Sequence, residues 1–401
     1  MKVAFAYPVA SMARPLNPDA LWTDARGLTG SELSCFCYAA GIAAMGSEVH
    51  WYTNATHRAT TNGVQIHPYQ EWAPEQADYW DAIVSWMTPE PLMDVVSAKP
   101  FKVFNQQCSD FGGCQPGWER KVDLFCPLSH DHARHMRPQT SFPADNFRVM
   151  YNGVDTGAFK PATKIPGRCI WASSHDRGLH HALELWPEIR TKMPHAELHV
   201  FYDVSGMQQF ATRPMPDIPF MRELQRRSLY SIEMLRRLQN HGVFLRGSVS
   251  REQIRAEMAA AEVLLYTADP VRYCETFGVT VLEAMASGCV PVLAFADAFA
   301  ELWAGRGVPG VAFPVGQHKA AYTSIALDVL SNPEPWAERV VKGAQDFAWA
   351  PLIRSFERCL LTRGAEGLER VRWPEGVESA AAAEDPDYVK YVSWAEKKRA
   401  A

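Results

Sequence analysis

A chain of 401 residues exceeds the roughly 100 to 200 that one core usually organises, so two domains are expected. Hydrophobic residues at 47% and charged residues at 21% are ordinary globular values, and a formal net charge of -5 supplies no global field toward nucleic acid or an anionic membrane. No apolar run reaches the ~18 residues of a membrane span. The start, Met1 to Pro8, reads as a strand rather than a signal peptide, and nine scattered cysteines without a CxxC pair predict reduced thiols in a cytoplasm.

In chain order, Val3 to Tyr7 reads as a buried strand, Ser31 to Ala44 as a helix, and Glu48 to Thr53, Ala82 to Trp86 and Lys102 to Asn105 as strands. That alternation predicts a parallel sheet covered by helices. A second series starts near Cys169, with strands Cys169 to Ala172, Glu197 to Tyr202, Val243 to Leu245, Val263 to Tyr266 and Val290 to Phe295. Helices are expected at His180 to Lys192, Arg251 to Ala260 and Gly278 to Ala286. Between them lies Ser205 to Gln239, a long arginine-rich insertion read chiefly as solvated helix, and expected to shape acceptor choice rather than donor binding.

The segment Cys274 to Gly288 places Glu275 in a loop and Glu283 five residues inside a helix that begins near Gly278. Five residues advance ~7.5 Å along a helix, about the separation of a diphosphate from its ribose. Free N–H groups and the positive dipole end at the helix start suit phosphates. Taken alone, the two glutamates read first as a solvent-facing pair on a helix whose core stripe is Val279, Leu282, Met285 and Ala286.

With Cys289 to Val292, this segment resembles the E-x7-E signature of retaining GT-B glycosyltransferases of family four, the glycosyl transferases group 1. Three further stretches resemble the same family in order: Gly27 to Glu32, Asn152 to Asp155 with Phe159 to Pro161, and Ser173 to Leu179. The resemblance covers about residues 1 to 355. It implies an α/β protein of GT-B type, with two doubly wound Rossmann-like domains facing a central cleft. The expected division is 1–165 for acceptor binding, 166–350 for nucleotide-sugar binding, and 351–401 as a helix and tail packing back on the first domain.

The resemblance also implies roles. Arg177 would neutralise the donor diphosphate, and Glu275 would bind hydroxyls of the transferred sugar, these two being the catalytic candidates. Glu283 would accept from ribose hydroxyls. Gly30, Thr276, Phe277, Gly278 and Val279 would border the donor, and Gly247, Ser248 and Val249 resemble the loop that cups the base. A first-turn arginine opposes the helix dipole, which independently points to an anionic partner for Arg177. Where many family members carry a histidine, Val103 to Gln107 has none, and His130 or His132 is the candidate substitute beside the acceptor.

No metal and no cofactor is expected; the sequence pattern gives His180 and His181 no facing carboxylate. Neither half supplies the G-x-G-x-x-G of a dinucleotide oxidoreductase. The function implied is retaining transfer of a hexose-type sugar from a nucleotide diphosphate, UDP in first place, to a hydroxyl of a glycan, metabolite, lipid-linked sugar or modified nucleic-acid base. The rival functions are a sugar-nucleotide epimerase on the same fold and a non-catalytic nucleotide-sugar-binding protein. Trp22, Trp72, Trp80, Trp86 and Trp118 are aromatic candidates for stacking on an acceptor.

Overall fold

A computed structural model describes residues 1–8, 15–24, 28–111 and 114–374. The chain forms two compact units. The first opens with β1 (Lys2–Ala6), α1 (Gly30–Ala44), β2 (Glu48–Thr61), β3 (Val64–Pro68), β4 (Ala82–Trp86), α2 (Glu90–Met93), β5 (Phe101–Asn105), β6 (Leu124–Cys126), α3 (His130–Met136) and β7 (Arg148–Val149). Its parallel sheet has the order β3-β2-β1-β4-β5-β6, with register breaks in β2 between Thr53 and Thr61. β1, β4 and β5 are almost wholly buried, so they read as apolar runs rather than alternating strands. A reciprocal cap starts α1: Thr29 Oγ1 accepts from the Glu32 N–H, and the Glu32 carboxylate accepts from the Thr29 N–H.

The second unit holds β8 (Arg168–Trp171), α4 (Leu179–Lys192), β9 (Glu197–Val200), α5 (Val204–Thr212), α6 (Pro219–Leu238), β10 (Val243–Leu245), α7 (Arg251–Ala260), β11 (Val263–Tyr266), α8 (Val279–Ala286), β12 (Val290–Phe295), α9 (Phe299–Trp303), β13 (Gly310–Ala312), α10 (Lys319–Ser331) and α11 (Glu334–Ala344). Its sheet order is β10-β9-β8-β11-β12-β13, again parallel. The order reverses between β8 and β11. Loops leaving the carboxyl ends of those two strands therefore diverge and open a crevice, where ligands bind in doubly wound folds.

The chain then returns to the first unit through α12 (Trp349–Leu361) and β14 (Glu369–Arg370), which pairs antiparallel with β7. Phe356 of α12 packs edge-on to Tyr38 of α1 at 5.2 Å. The first unit ends at Gly153 rather than at residue 165. Residues 154 to 165 lie on the second unit because Phe159 is buried there and Lys164 Nζ donates to the Ser287 carbonyl at the end of α8 (2.8 Å). Among the described residues, no helix is long and apolar enough to cross a membrane.

The tryptophans proposed for stacking divide by burial. Trp80, Trp86 and Trp118 are core residues, whereas Trp22 and Trp72 are half-buried. The Ser205 to Gln239 insertion is α5 and α6. Arg222, Arg226 and Arg237 pair with Asp217, Glu223 and Glu233 on its solvated face, as expected. Arg227 does not: only 13% of its side chain is exposed, and it points inward.

Candidate active site at the strand reversal of the second unit

The loop after β8, Ser173 to Gly178, carries Arg177 on a single 3-10 turn, His175–Arg177. The loop after β11 carries Glu275. The two loops are stitched together: the Asp269 N–H donates to the Arg177 carbonyl (3.1 Å), and Thr267 Oγ1 donates to the Gly178 carbonyl (2.8 Å). Gly178 has φ +115°, and a Cβ there would lie 2.0 Å from the Thr267 carbonyl oxygen. Only glycine allows this seam, which brings Arg177 beside Glu275.

Arg177 Nη1 stands 3.6 Å from Glu275 Oε1, and this buried nitrogen has no hydrogen-bond partner. Glu275 also accepts from the Tyr266 hydroxyl (3.0 Å), which shares a hydrogen bond with Ser173 Oγ (2.7 Å). Asp297 Oδ2 accepts from the backbone N–H groups of Cys274 (2.8 Å) and Glu275 (2.9 Å), fixing the loop. Burial pushes the Glu275 carboxyl up to about 7; Arg177 and the Tyr266 hydroxyl hold it down, while Asp297 and Asp176 add to the rise. Burial opposes the Arg177 charge, but Glu275, Cys274 and Asp176 outweigh it and keep the guanidinium above its usual range.

Gly278 caps α8 at φ +86°, and a Cβ there would press within 2.7 Å of the Phe299 ring. The helix thus starts where the sequence indicated, with the first-turn amides of Val279 and Thr280 lacking a preceding turn to bond. Thr276 is nearly buried. Phe277 is core, its ring against Trp303 and Phe347 at 5.5 Å each, so only its backbone is on offer to a ligand. Glu283 is 3% exposed and is held by Arg251: Nη1 donates to Oε2 (3.3 Å) and Nη2 to Oε1.

Gly247, Ser248 and Val249 form the turn after β10, with Gly247 at φ +72° and Ser248 exposed. β10 lies two strands from β8, roughly 10 Å across the sheet, which is the reach of a nucleoside. Ser250 caps α7 with Gln253 in a reciprocal arrangement. Gly30 opens α1 in the first unit, and Gly27 lies outside the described residues.

The candidate histidines take structural places. His132 is fully buried; its Nδ1 accepts from the Leu128 N–H (3.2 Å), its Nε2 bonds the Cys108 carbonyl (2.9 Å), and burial brings its pKa down to about 3. His130 Nδ1 accepts from the Arg372 N–H (3.1 Å), and its Nε2 lies 3.4 Å from Glu369. The strand that returns at β14 thus covers it. Neither ring is presented to an acceptor, which corrects the expectation that one of them substitutes for the family's histidine.

A second correction concerns His180 and His181. A carboxylate does face them: Asp269 Oδ2 lies 2.9 Å from His181 Nε2 and 3.8 Å from His180 Nε2, and the three ligand atoms fall within 4.8 Å of one another. The same oxygen is 3.2 Å from Arg227 Nη2, and His181 Nδ1 is held by Glu184 (3.0 Å). Arg227 already supplies the positive charge that a metal would bring. Ser228, next to it on α6, shares a hydrogen bond with His175 Nε2 (2.6 Å). The insertion therefore braces both sides of the Arg177 turn, contrary to the expectation that it stands apart from the donor site.

Sequence reasoning missed Tyr266, Asp297 and Arg251. For Arg251 a signal existed: it is the first residue of α7, where a cation opposes the dipole, the same argument that singled out Arg177. Tyr266 and Asp297 had none, since a strand end and a loop acid reach Glu275 only through the sheet order.

Residues 173–346 match the family described as Glycosyl transferases group 1. No curated protein sequence matches the chain. Among solved structures, it is similar to sucrose-phosphate synthase from Thermosynechococcus elongatus, with 14% identity and a TM-score of 0.62 over 90% of this chain and 98% of that one. It is similar to Anabaena HepE in complex with UDP and glucose, with 15% identity and a TM-score of 0.63 over 90% of this chain and 100% of that one. It is also similar to AviGT4, a glycosyltransferase involved in avilamycin A biosynthesis, with 18% identity and a TM-score of 0.59 over 90% and 98%. Residues 173–346, most of the second unit, are thus similar to the glycosyl transferases group 1, and the chain has the GT-B fold of two Rossmann-like domains.

Proposed function

We propose that this chain is a retaining glycosyltransferase that moves a hexose-type sugar from a nucleotide diphosphate donor, UDP in first place, to a hydroxyl acceptor bound by the first unit. The observation that carries the reading is the convergence of Arg177 and Glu275 on the strand reversal of the second unit, with a buried guanidinium nitrogen left unbonded. An anionic oxygen would satisfy that nitrogen. HepE, whose structure holds UDP and glucose, supports the choice of donor.

In this reading the diphosphate lies across the start of α8 and Arg177, while Glu275 takes hydroxyls of the sugar and Glu283 those of the ribose. The bond from the anomeric carbon to the phosphate oxygen breaks, and its electron pair leaves with the phosphate. The acceptor oxygen bonds the same face of that carbon, and its proton passes to the departing phosphate oxygen. No protein base is required. Charge growing on the leaving group is met by Arg177 and backbone N–H groups, so the transfer is independent of metal and cofactor. The nine free cysteines suit a reducing cytoplasm. Acceptors of all four classes, glycan, metabolite, lipid-linked sugar and modified nucleic-acid base, fit the chemistry.

The test is a donor panel of UDP-, GDP- and ADP-sugars, assayed for hydrolysis and for transfer, with the product's anomeric signal read by NMR. Retention of the donor configuration is expected, and an inverted product refutes the mechanism. Arg177→Ala should lower turnover about a hundredfold, with partial recovery in Arg177→Lys. Full activity in Arg177→Ala, or loss of activity in EDTA that magnesium restores, would overturn the account of the leaving group.

A further inference from the structure

Glu275, Asp176 and Asp297 crowd one guanidinium. Arg177 Nη1 stands 3.6 Å from Glu275 and its Nε 3.8 Å from Asp176, while Asp297 accepts from the Cys274 and Glu275 N–H groups behind the same loop. Both contacts of the Glu275 carboxyl fall on a single oxygen: Oε1 accepts from the Tyr266 hydroxyl (3.0 Å) and is the atom facing Arg177. Among the described residues nothing bonds Oε2. A buried carboxylate with one hydrogen bond is poorly compensated, whereas a neutral acid needs only a place for its proton, and Oε2 supplies it. A bound diphosphate shifts this balance in one direction. It brings further negative charge to the Arg177 nitrogen that Glu275 leaves unbonded, and so draws on the cation that offsets the Glu275 charge.

We infer that Glu275 takes up a proton from solvent when a nucleotide diphosphate binds, and meets the donor as a neutral acid whose Oε2–H donates to a donor oxygen. The inference rests on the donor reading above and adds a protonation state to its site. No bond to carbon changes in this step; one solvent proton moves to Oε2, and Oε1 keeps the Tyr266 hydroxyl. The groups that face the carboxyl from each packed element are Arg177 and Asp176 after β8, Tyr266 at the end of β11, Cys274 in its own loop and Asp297 after β12. Of these, Arg177 and Tyr266 favour the ionised form, and a bound phosphate counters the first. Burial, against their opposition, brings the carboxyl to about 7, so the uptake falls in the neutral range.

Calorimetry of UDP, GDP and ADP on the full chain, repeated in buffers of different ionisation enthalpy, counts the protons taken up on binding. The terminal phosphate of these nucleotides titrates near neutral pH on its own account, so Glu275→Gln, which cannot ionise, sets the baseline. At pH 8 the wild type should take up about one proton more than Glu275→Gln. At pH 6, where the carboxyl already carries its proton, the two counts should agree within about 0.3. By linkage, the wild-type affinity should fall by up to about tenfold per pH unit above 7 relative to that variant. Tyr266→Phe keeps the ring against Trp171 and Phe299 (5.4 Å each) but drops the bond that favours ionisation, so the onset of uptake should move to higher pH. This variant guards against a glutamine variant that fails to fold, and a merely structural tyrosine would leave the onset in place. Equal counts in the wild type and Glu275→Gln at pH 8, or an onset that stays or falls in Tyr266→Phe, overturn the inference while the donor reading stands. Absence of binding to all three nucleotides by the wild type overturns the donor reading, and this inference falls with it.

Discussion

Replacing Glu275 with glutamine should flatten the pH dependence of stability, and its size follows from the site. The side chain is only 5% exposed, and burial lifts its carboxyl from the ordinary 4.5 to about 7. The native state therefore holds this proton more tightly than the unfolded state does. Its contribution to stability is full below pH 4.5 and is lost as pH rises through 7. Between the protonated and ionised limits the loss is about 3 kcal/mol, most of it between pH 5 and pH 8. The substituted amide would retain an oxygen for the Tyr266 hydroxyl and cannot ionise. Urea unfolding of both proteins across that range should show the wild type losing about 2 to 3 kcal/mol more than Glu275→Gln. Curves that run parallel within about 0.5 kcal/mol would show that the carboxyl is not perturbed by burial. A wild type that gains stability instead would show that Arg177 outweighs burial and keeps Glu275 ionised.

Other perturbations test the local geometry. Gly178→Ala places a methyl against the Thr267 carbonyl in a left-handed conformation, and should cost more than about 2 kcal/mol in urea unfolding; a neutral result would mean the two loops are not seamed there. His132→Ala leaves the Leu128 N–H and the Cys108 carbonyl unpaired and should cost about 2 to 4 kcal/mol, while transfer by the folded fraction is unaltered; the wild-type ring signals should not move by NMR between pH 5 and 8, because burial keeps the pKa at about 3. Arg227→Ala removes the brace from Asp269 and should weaken nucleotide binding about tenfold by calorimetry, an effect of roughly 1.4 kcal/mol; unchanged affinity would restore the view that the insertion serves the acceptor alone.

Where local signals suffice, the sequence alone determined much of this protein. Apolar runs marked β1, β4 and β11, and Gly278 before an apolar stripe marked the start of α8. Each of these is written within a few residues, because caps and periodicity act between chain neighbours. The order of the motifs likewise pointed to the fold. β3 and β13 escaped notice, being short edge strands with little apolar pattern, and β2 runs on to Thr61 past its buried half.

Only the tertiary structure decided which side chains meet. Tyr266 and Asp297 reach Glu275 because β11 and β12 are neighbours in the sheet, and Asp269 reaches His181 because β8 and β11 are. His130 is covered by a strand far along the chain, Glu369 to Arg370, whose return no local pattern announces. Arg251 pairs with a glutamate 32 positions away. Strand order and chain return are set by how whole elements bury their apolar faces, a property of the assembled core rather than of any short stretch. The sequence therefore supplied the groups capable of holding a diphosphate and a sugar, and packing chose their partners.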